Sequence, residues 1–126
     1  MKAPAVRKLV LLISHDPHAR ASLRRALEAD GFLVGEAANG KEGERTIRRV
    51  NPDAVIADLQ MEIVEGGERV IERLRDAGPR NVFYLVTTGT DALSFEFSLH
   101  QLGVTGIFLK PIDSAIVIQT LKAALA

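Results

Sequence analysis

A lone carboxylate, Asp58, ends the short apolar run Ala54-Val55-Ile56-Ala57. A hydroxyl pair, Thr87-Thr88, and an ammonium, Lys110, close two later apolar runs. If these groups meet, their types suit phosphoryl chemistry: the carboxylate attacks phosphorus, while hydroxyl and ammonium bind the oxygens where negative charge gathers. Ser14-His15-Asp16 ends a fourth run, but three consecutive residues cannot stack as nucleophile, base and orienter, which excludes a hydrolase triad. Singly, each residue has a plainer role: an aspartate after a strand forms turns, and a Lys-Pro pair forms loops. The combination at strand ends is what carries the functional argument.

The elements that must position these groups follow from apolar patterning. Lys8 to Ile13 is a continuous apolar run, the pattern of a strand buried on both faces of a parallel sheet. Asp16 is placed to cap a first helix with Pro17 at its first position; that helix runs to about Asp30 and stops at Gly31. Its expected inward residues are Ala19, Leu23, Ala26 and Leu27, with Arg20, Arg24 and Arg25 facing water. Further strands are expected at Phe32 to Ala37, Ala54 to Asp58, Val82 to Thr87 and Gly106 to Leu109. Helices are expected at Lys41 to Val50 (with Ile47 and Val50 inward), Gly67 to Ala77, Ala92 to Leu102, and from an Asp113 or Ser114 cap to the C-terminus. A loop rich in turn residues separates Asp58 from the third helix. Five strands alternating with five helices make a doubly wound α/β domain, in which ligands bind beyond the carboxyl ends of the strands. Ser14, His15, Asp16, Asp58, Thr87, Thr88 and Lys110 all fall on that edge.

Composition narrows the functional classes. The chain has 126 residues, 47% hydrophobic and 25% charged, which fits one globular domain and excludes disorder. Sixteen basic residues balance sixteen acidic ones, so no overall field draws it to nucleic acid or an anionic membrane. The Arg20, Arg24, Arg25 cluster lacks interleaved aromatics and reads as a solvated face. Cysteine is absent, which excludes disulfides and thiolate metal sites and agrees with a cytoplasmic location. Leu9 to Ile13 is too short for a signal core or a membrane span. Residues 1–7 are expected to form a tail and residues 8–126 the domain.

Asp16-Pro17-His18-Ala19-Arg20, Asn39-Gly40-Lys41-Glu42, Pro52-Asp53, Asp58-Leu59-Gln60-Met61 with Gly66, and Lys110-Pro111 occur in order on this alternation. In this respect the chain resembles a response-regulator receiver domain of bacterial two-component signalling, from Lys8 to Ala126. The resemblance implies a flavodoxin-like three-layer sandwich with strand order 2-1-3-4-5. It makes Asp58 the phosphoacceptor, Lys110 the ion-pairing lysine with a cis bond to Pro111, and Thr88 the switch hydroxyl, with Thr87 as second choice. It implies a signalling module rather than an enzyme, with at most weak self-phosphorylation and autophosphatase activity. Its expected partner is a sensor histidine kinase or another signalling protein, with a homodimer through the fourth helix, fifth strand and fifth helix as a further expectation. No membrane, nucleic-acid or small-molecule substrate is implied.

Four positions depart from that family's pattern. Ser14 and His15 occupy the places where a pair of acidic residues normally holds Mg²⁺, a cation that prefers carboxylates and water. What remains for a metal is Asp58, the Gln60 backbone carbonyl and Asp16, so the expected cofactor is none or weakly bound Mg²⁺. Protonated His15 offers a substitute charge tunable near neutral pH. Ile107 takes the aromatic switch position, with Phe108 one place away and on the other face. Glu62 replaces a common proline and is expected to loosen the loop after Asp58. The expected function is an atypical receiver with weak or absent Mg²⁺-dependent phosphorylation at Asp58, acting through protein contacts. The alternatives are a conventional phosphoacceptor served by a histidine kinase and, more remotely, a flavodoxin-like cofactor binder, which the lack of a phosphate loop after strand one disfavours. In the last two helices, Leu93 or Phe97 and the wide arc Ile116, Val117, Ile118, Leu121, Leu125 are candidate contact surfaces.

Overall fold

The five expected strands are β1 (Leu9–Ile13), β2 (Leu33–Ala37), β3 (Ala54–Asp58), β4 (Val82–Thr87) and β5 (Gly106–Leu109). All neighbours pair in parallel, in the order β2-β1-β3-β4-β5. The computed structural model describes residues 7–65, 69–91 and 103–126. Residues 1–6 of the expected tail, the fourth helix at Ala92 to Leu102 with Leu93 and Phe97, and Gly66 lie outside these residues.

The described helices are α1 (Pro17–Ala29), α2 (Gly40–Val50), α3 (Gln60–Val64), α4 (Val70–Ala77) and α5 (Ser114–Ala124). They divide the core in two. On one face, Leu11, Ile13, Val55 and Phe83 pack with Ile47 of α2 and Ile71 and Leu74 of α4. On the other, Val10, Leu12, Ile56 and Tyr84 pack with Leu23 and Leu27 of α1 and Val117 and Leu121 of α5. The apolar runs of β1 and β3 are buried on both faces because helices cover each side of the sheet.

Local chemistry sets the helix ends. Asp16 accepts from the His18 and Ala19 amides and Pro17 opens α1, while Gly31 takes a left-handed φ of 96° beyond its end. Asn39 caps α2 through the Glu42 amide. Asp113, rather than Ser114, caps α5. At the opposite end of the sheet, Asp53 Oδ2 accepts from the Leu9 amide at 2.8 Å and fixes the entry of β3 beside β1.

Several expectations need correction. Ala19 is exposed, because α1 and α5 leave a cleft beside it, and Ala26 is only half-buried. Arg20 and Arg24 do not simply face water: both reach Glu36 on β2. In α2 the inward stripe is Gly40, Gly43 and Ile47, while Val50 is 43% exposed in the last turn, just before left-handed Asn51 redirects the chain. The segment after Asp58 is not simply a loop. It coils into α3, with Leu59 and Met61 buried at its start and the Glu65 amide donating to Met61 O.

Candidate functional site

Asp58 and Lys110 meet at the C-terminal rim. The Lys110 ammonium donates to Asp58 Oδ2 at 2.8 Å, and the Gln60 amide donates to Asp58 Oδ1 at 2.9 Å. Each carboxylate oxygen therefore has a donor, yet Asp58 keeps 15% of its side chain exposed. The backbone explains the placement. Asp58 is the last residue of β3 and pairs in register with Val86, while the Lys110 amide donates to Thr87 O and continues the β4–β5 ladder by one residue. The Lys110–Pro111 bond is cis.

Thr87 and Thr88 differ in exposure at the end of β4. Thr87 is 2% exposed and its hydroxyl donates to Thr88 O, whereas Thr88, one residue beyond the strand, is exposed. Thr88 Oγ1 accepts from the Asp91 amide at 3.1 Å, so the hydroxyl is held in a turn above the end of β4. Ile107 and Phe108 point to opposite faces. Ile107 is 40% exposed, and Phe108 stacks on Tyr84 with ring centroids 5.0 Å apart.

Across the rim, the Ser14-His15-Asp16 turn is occupied by its own contacts. Ser14 Oγ accepts from the Asp16 amide, and Arg20 donates to Ser14 O. The two amides at the start of α1, Ala19 first and then His18, hold the Asp16 carboxyl below its ordinary range. His15 Nε2 donates to Glu65 Oε2 at 3.0 Å, and both Glu65 oxygens lie 3.2 Å from the Gly40 amide. Glu65 thus links three loops of the rim. Sequence reasoning missed it, since nothing local marks a glutamate at the end of a short helical turn. The available signal was glycine at position 40, where a Cβ would sit 2.4 Å from Val70 Cγ1 and 3.1 Å from Glu65 Oε1.

Glu62, expected to loosen the segment after Asp58, is itself held there by two hydrogen bonds. Its own amide donates to Leu59 O, which a proline there could not do, and its carboxylate accepts from the Val70 amide at 2.7 Å, at the first residue of α4. Glu36, also missed, receives Arg24 Nη1 at 2.9 Å and Arg20 Nε at 3.0 Å. The Arg24 hydrogen bond foremost, with Arg20 behind it, lowers the Glu36 carboxyl, and the bonds to Glu36 and then Glu28 raise the Arg24 guanidinium.

The donor set fits Mg²⁺ poorly. Mg²⁺ demands near-octahedral oxygen ligands. Here the pair positions offer a hydroxyl already accepting an amide and a nitrogen already bonded to a carboxylate, Asp16 caps α1, and Asp58 is shared between an ammonium and an amide. Among the described residues, no three His, Cys, Asp or Glu side chains are grouped to hold a metal ion.

Comparison with known proteins agrees with this architecture. The family model "Response regulator receiver domain" matches residues 10–122. A putative transcriptional regulator of Pseudomonas aeruginosa is 33% identical over 93% of this chain and 56% of its own length. Protein PilH of the same organism is 26% identical over 93% of this chain and 97% of its own. The chain thus spans about half of the first relative and nearly all of the second. Among solved structures, the chemotaxis response regulator CheY4 of Vibrio cholerae superposes with a TM-score of 0.80 at 22% identity, covering 94% of this chain and 98% of that one. A CheY-like receiver domain protein from Methanospirillum hungatei gives 0.82 at 22% identity, over 95% and 94%. No described helix is long and apolar enough to cross a membrane. On the match over residues 10–122, the chain belongs to the response regulator receiver domain family, the signal-receiving modules of two-component systems.

Proposed function

We propose that this receiver, spanning residues 8–126, is atypical: it signals through contacts with other proteins, and phosphorylation of Asp58 is weak and independent of Mg²⁺. The observation that carries this reading is the occupied state of the metal-pair positions. His15 is bonded to Glu65, Ser14 and Asp16 are bonded locally, and Asp58 is left to Lys110 and the Gln60 amide. With Ser14 and His15 in place of an acidic pair, only Asp16 Oδ2 is left beside Asp58 to draw a divalent cation, and a phosphoryl group on Asp58 would be offset chiefly by Lys110. Transfer is therefore slow, because the charge that builds on the phosphoryl oxygens is under-neutralised.

In this account Asp58 is the acceptor, Lys110 its ion-pairing partner and Thr88 the switch hydroxyl. Thr88 is favoured over Thr87 because it is exposed while Thr87 is buried. The protein works in the cytoplasm, as the absence of cysteine fits, with a histidine kinase or another signalling protein as partner and no catalytic turnover of its own. Its dimer or effector face includes β5 and α5, where Ile107, Leu109 and Ile116 are 40%, 56% and 53% exposed.

A conventional phosphoacceptor is the second reading, favoured by the 2.8 Å Asp58–Lys110 contact. Titration of Mg²⁺ followed by amide chemical shifts separates the two. Scattered, non-saturating changes are expected; saturation at low millimolar Mg²⁺ that disappears in Asp58→Ala would establish the conventional site instead.

A further inference from the structure

A cleft of about 630 Å³ runs from Asp58 and Lys110 at the rim into the gap between α1 and α5, and phosphoryl chemistry uses only its rim end. Leu12, Ile56 and Val86 from three adjacent strands form its floor, each under 5% exposed. The walls are built from small residues: Ala19 and Ser22 on α1, and Ser114 at the start of α5. These cannot fill the space between the helices, which is why Ala19 is exposed instead of buried. The Ser22 and Ser114 hydroxyls have no hydrogen-bond partner among the described residues. An apolar floor, two free hydroxyls on facing walls and a charged mouth, at this volume, match the make-up of small-molecule sites.

Charge at the mouth selects the ligand. Lys110 is engaged by Asp58, Arg20 by Glu36 and His15 by Glu65. Asp16 alone among the charged lining groups forms no ion pair within the described residues: its Oδ1 takes both α1 amides, and Oδ2 takes none. An anionic head would meet cations already paired and a carboxylate with an open oxygen, whereas a protonated amine can take Asp16 Oδ2. We infer that the α1–α5 cleft is a binding site for a small organic amphiphile, with its apolar body on the Leu12–Ile56–Val86 floor and a protonated amine at Asp16. Bound there, it stands beside Asp58 and gives the domain a chemical input separate from phosphorylation.

Two probes with the same body and opposite heads test this on the full chain: 2-(1-naphthyl)ethylamine and 1-naphthaleneacetate, each titrated into ¹⁵N-labelled protein. The amine is expected to bind saturably, shifting the amides of Ala19, Leu23 and Ile112, and at least about threefold more tightly than the carboxylate, the scale of one exposed ion pair. Asp16→Asn, which keeps the helix cap, should erase that preference without abolishing binding of the naphthyl body. Ser22→Leu should fill the cleft and abolish binding of both probes, with Ser114→Leu giving the same result from the opposite wall should the first variant fold poorly. The inference is overturned by no saturation up to about 5 mM, by a preference for the carboxylate, or by shifts outside the cleft. A dimer that either probe dissociates would also overturn it, by making a second copy of the chain the natural occupant. These results leave the Mg²⁺ titration untouched, so the two proposals fail separately.

Discussion

His15 and Glu65 meet at 3.0 Å across the rim of the sheet, and the same carboxylate reaches the Gly40 amide at the first residue of α2. One side chain thereby ties the β1–α1, β2–α2 and β3–α4 connections together.

Removing that tie should loosen the rim without unfolding the sheet. Glu65 is 22% exposed and His15 42%, so solvent screens the pair, and Glu65→Gln is expected to cost about 1 kcal/mol in urea unfolding. His15→Ala should cost a similar amount. The double variant should cost clearly less than the two together, because both remove one interaction. Strict additivity would show that His15 and Glu65 act independently.

Gly40→Ala should be more damaging than either. The added methyl would lie 2.4 Å from Val70 Cγ1, so α2 and α4 must separate, at a cost on the order of 2 kcal/mol. Thermal or denaturant unfolding measures it. A neutral result would mean that α2 does not approach α4 this closely in solution.

Glu36 links stability to acid. Its carboxyl lies below 4.5 in the folded chain, mainly through the Arg24 hydrogen bond and then through Arg20. A carboxyl lowered on folding stabilises fully above its unfolded value, and that contribution is lost as pH falls through the folded one. The stability gap between the wild type and Glu36→Gln should therefore be largest near neutrality and shrink as pH drops below 4.5. A gap that is constant with pH would remove the ionic part of the argument.

Tyr84 offers a spectroscopic check of the α1–α5 layer, being the only tyrosine in a chain without tryptophan. Burial raises its phenol above 10.0. Stability associated with the neutral phenol is present below that value and is lost as pH rises through the folded one. Phenolate absorbance should appear late in alkaline titration, together with unfolding. Phe108→Ala, which removes the stacked ring, should bring the transition back toward 10.0.

Much of this molecule is legible in its sequence because local rules govern it. The Asp16-Pro17 start of α1, the Gly31 stop, the doubly buried runs of β1 and β3 and the strand-end positions of Asp58 and Lys110 all follow from capping, turn chemistry and period. What was not legible depends on packing between distant segments. Glu65 finds Gly40 and His15 across two other connections, Glu36 collects two arginines from α1, and Glu62 caps a helix eight residues on. The cleft beside Ala19 was equally hidden, because apolar spacing shows which face of α1 turns inward but not whether α5 comes close enough to cover it.

Whether Asp58 takes a phosphoryl group without Mg²⁺ is read from the intact mass of the protein incubated with acetyl phosphate, with and without the cation. Slow, substoichiometric addition of one phosphoryl group is expected, unchanged by Mg²⁺ and absent in Asp58→Ala. Rapid, stoichiometric and Mg²⁺-dependent labelling at Asp58 would contradict it.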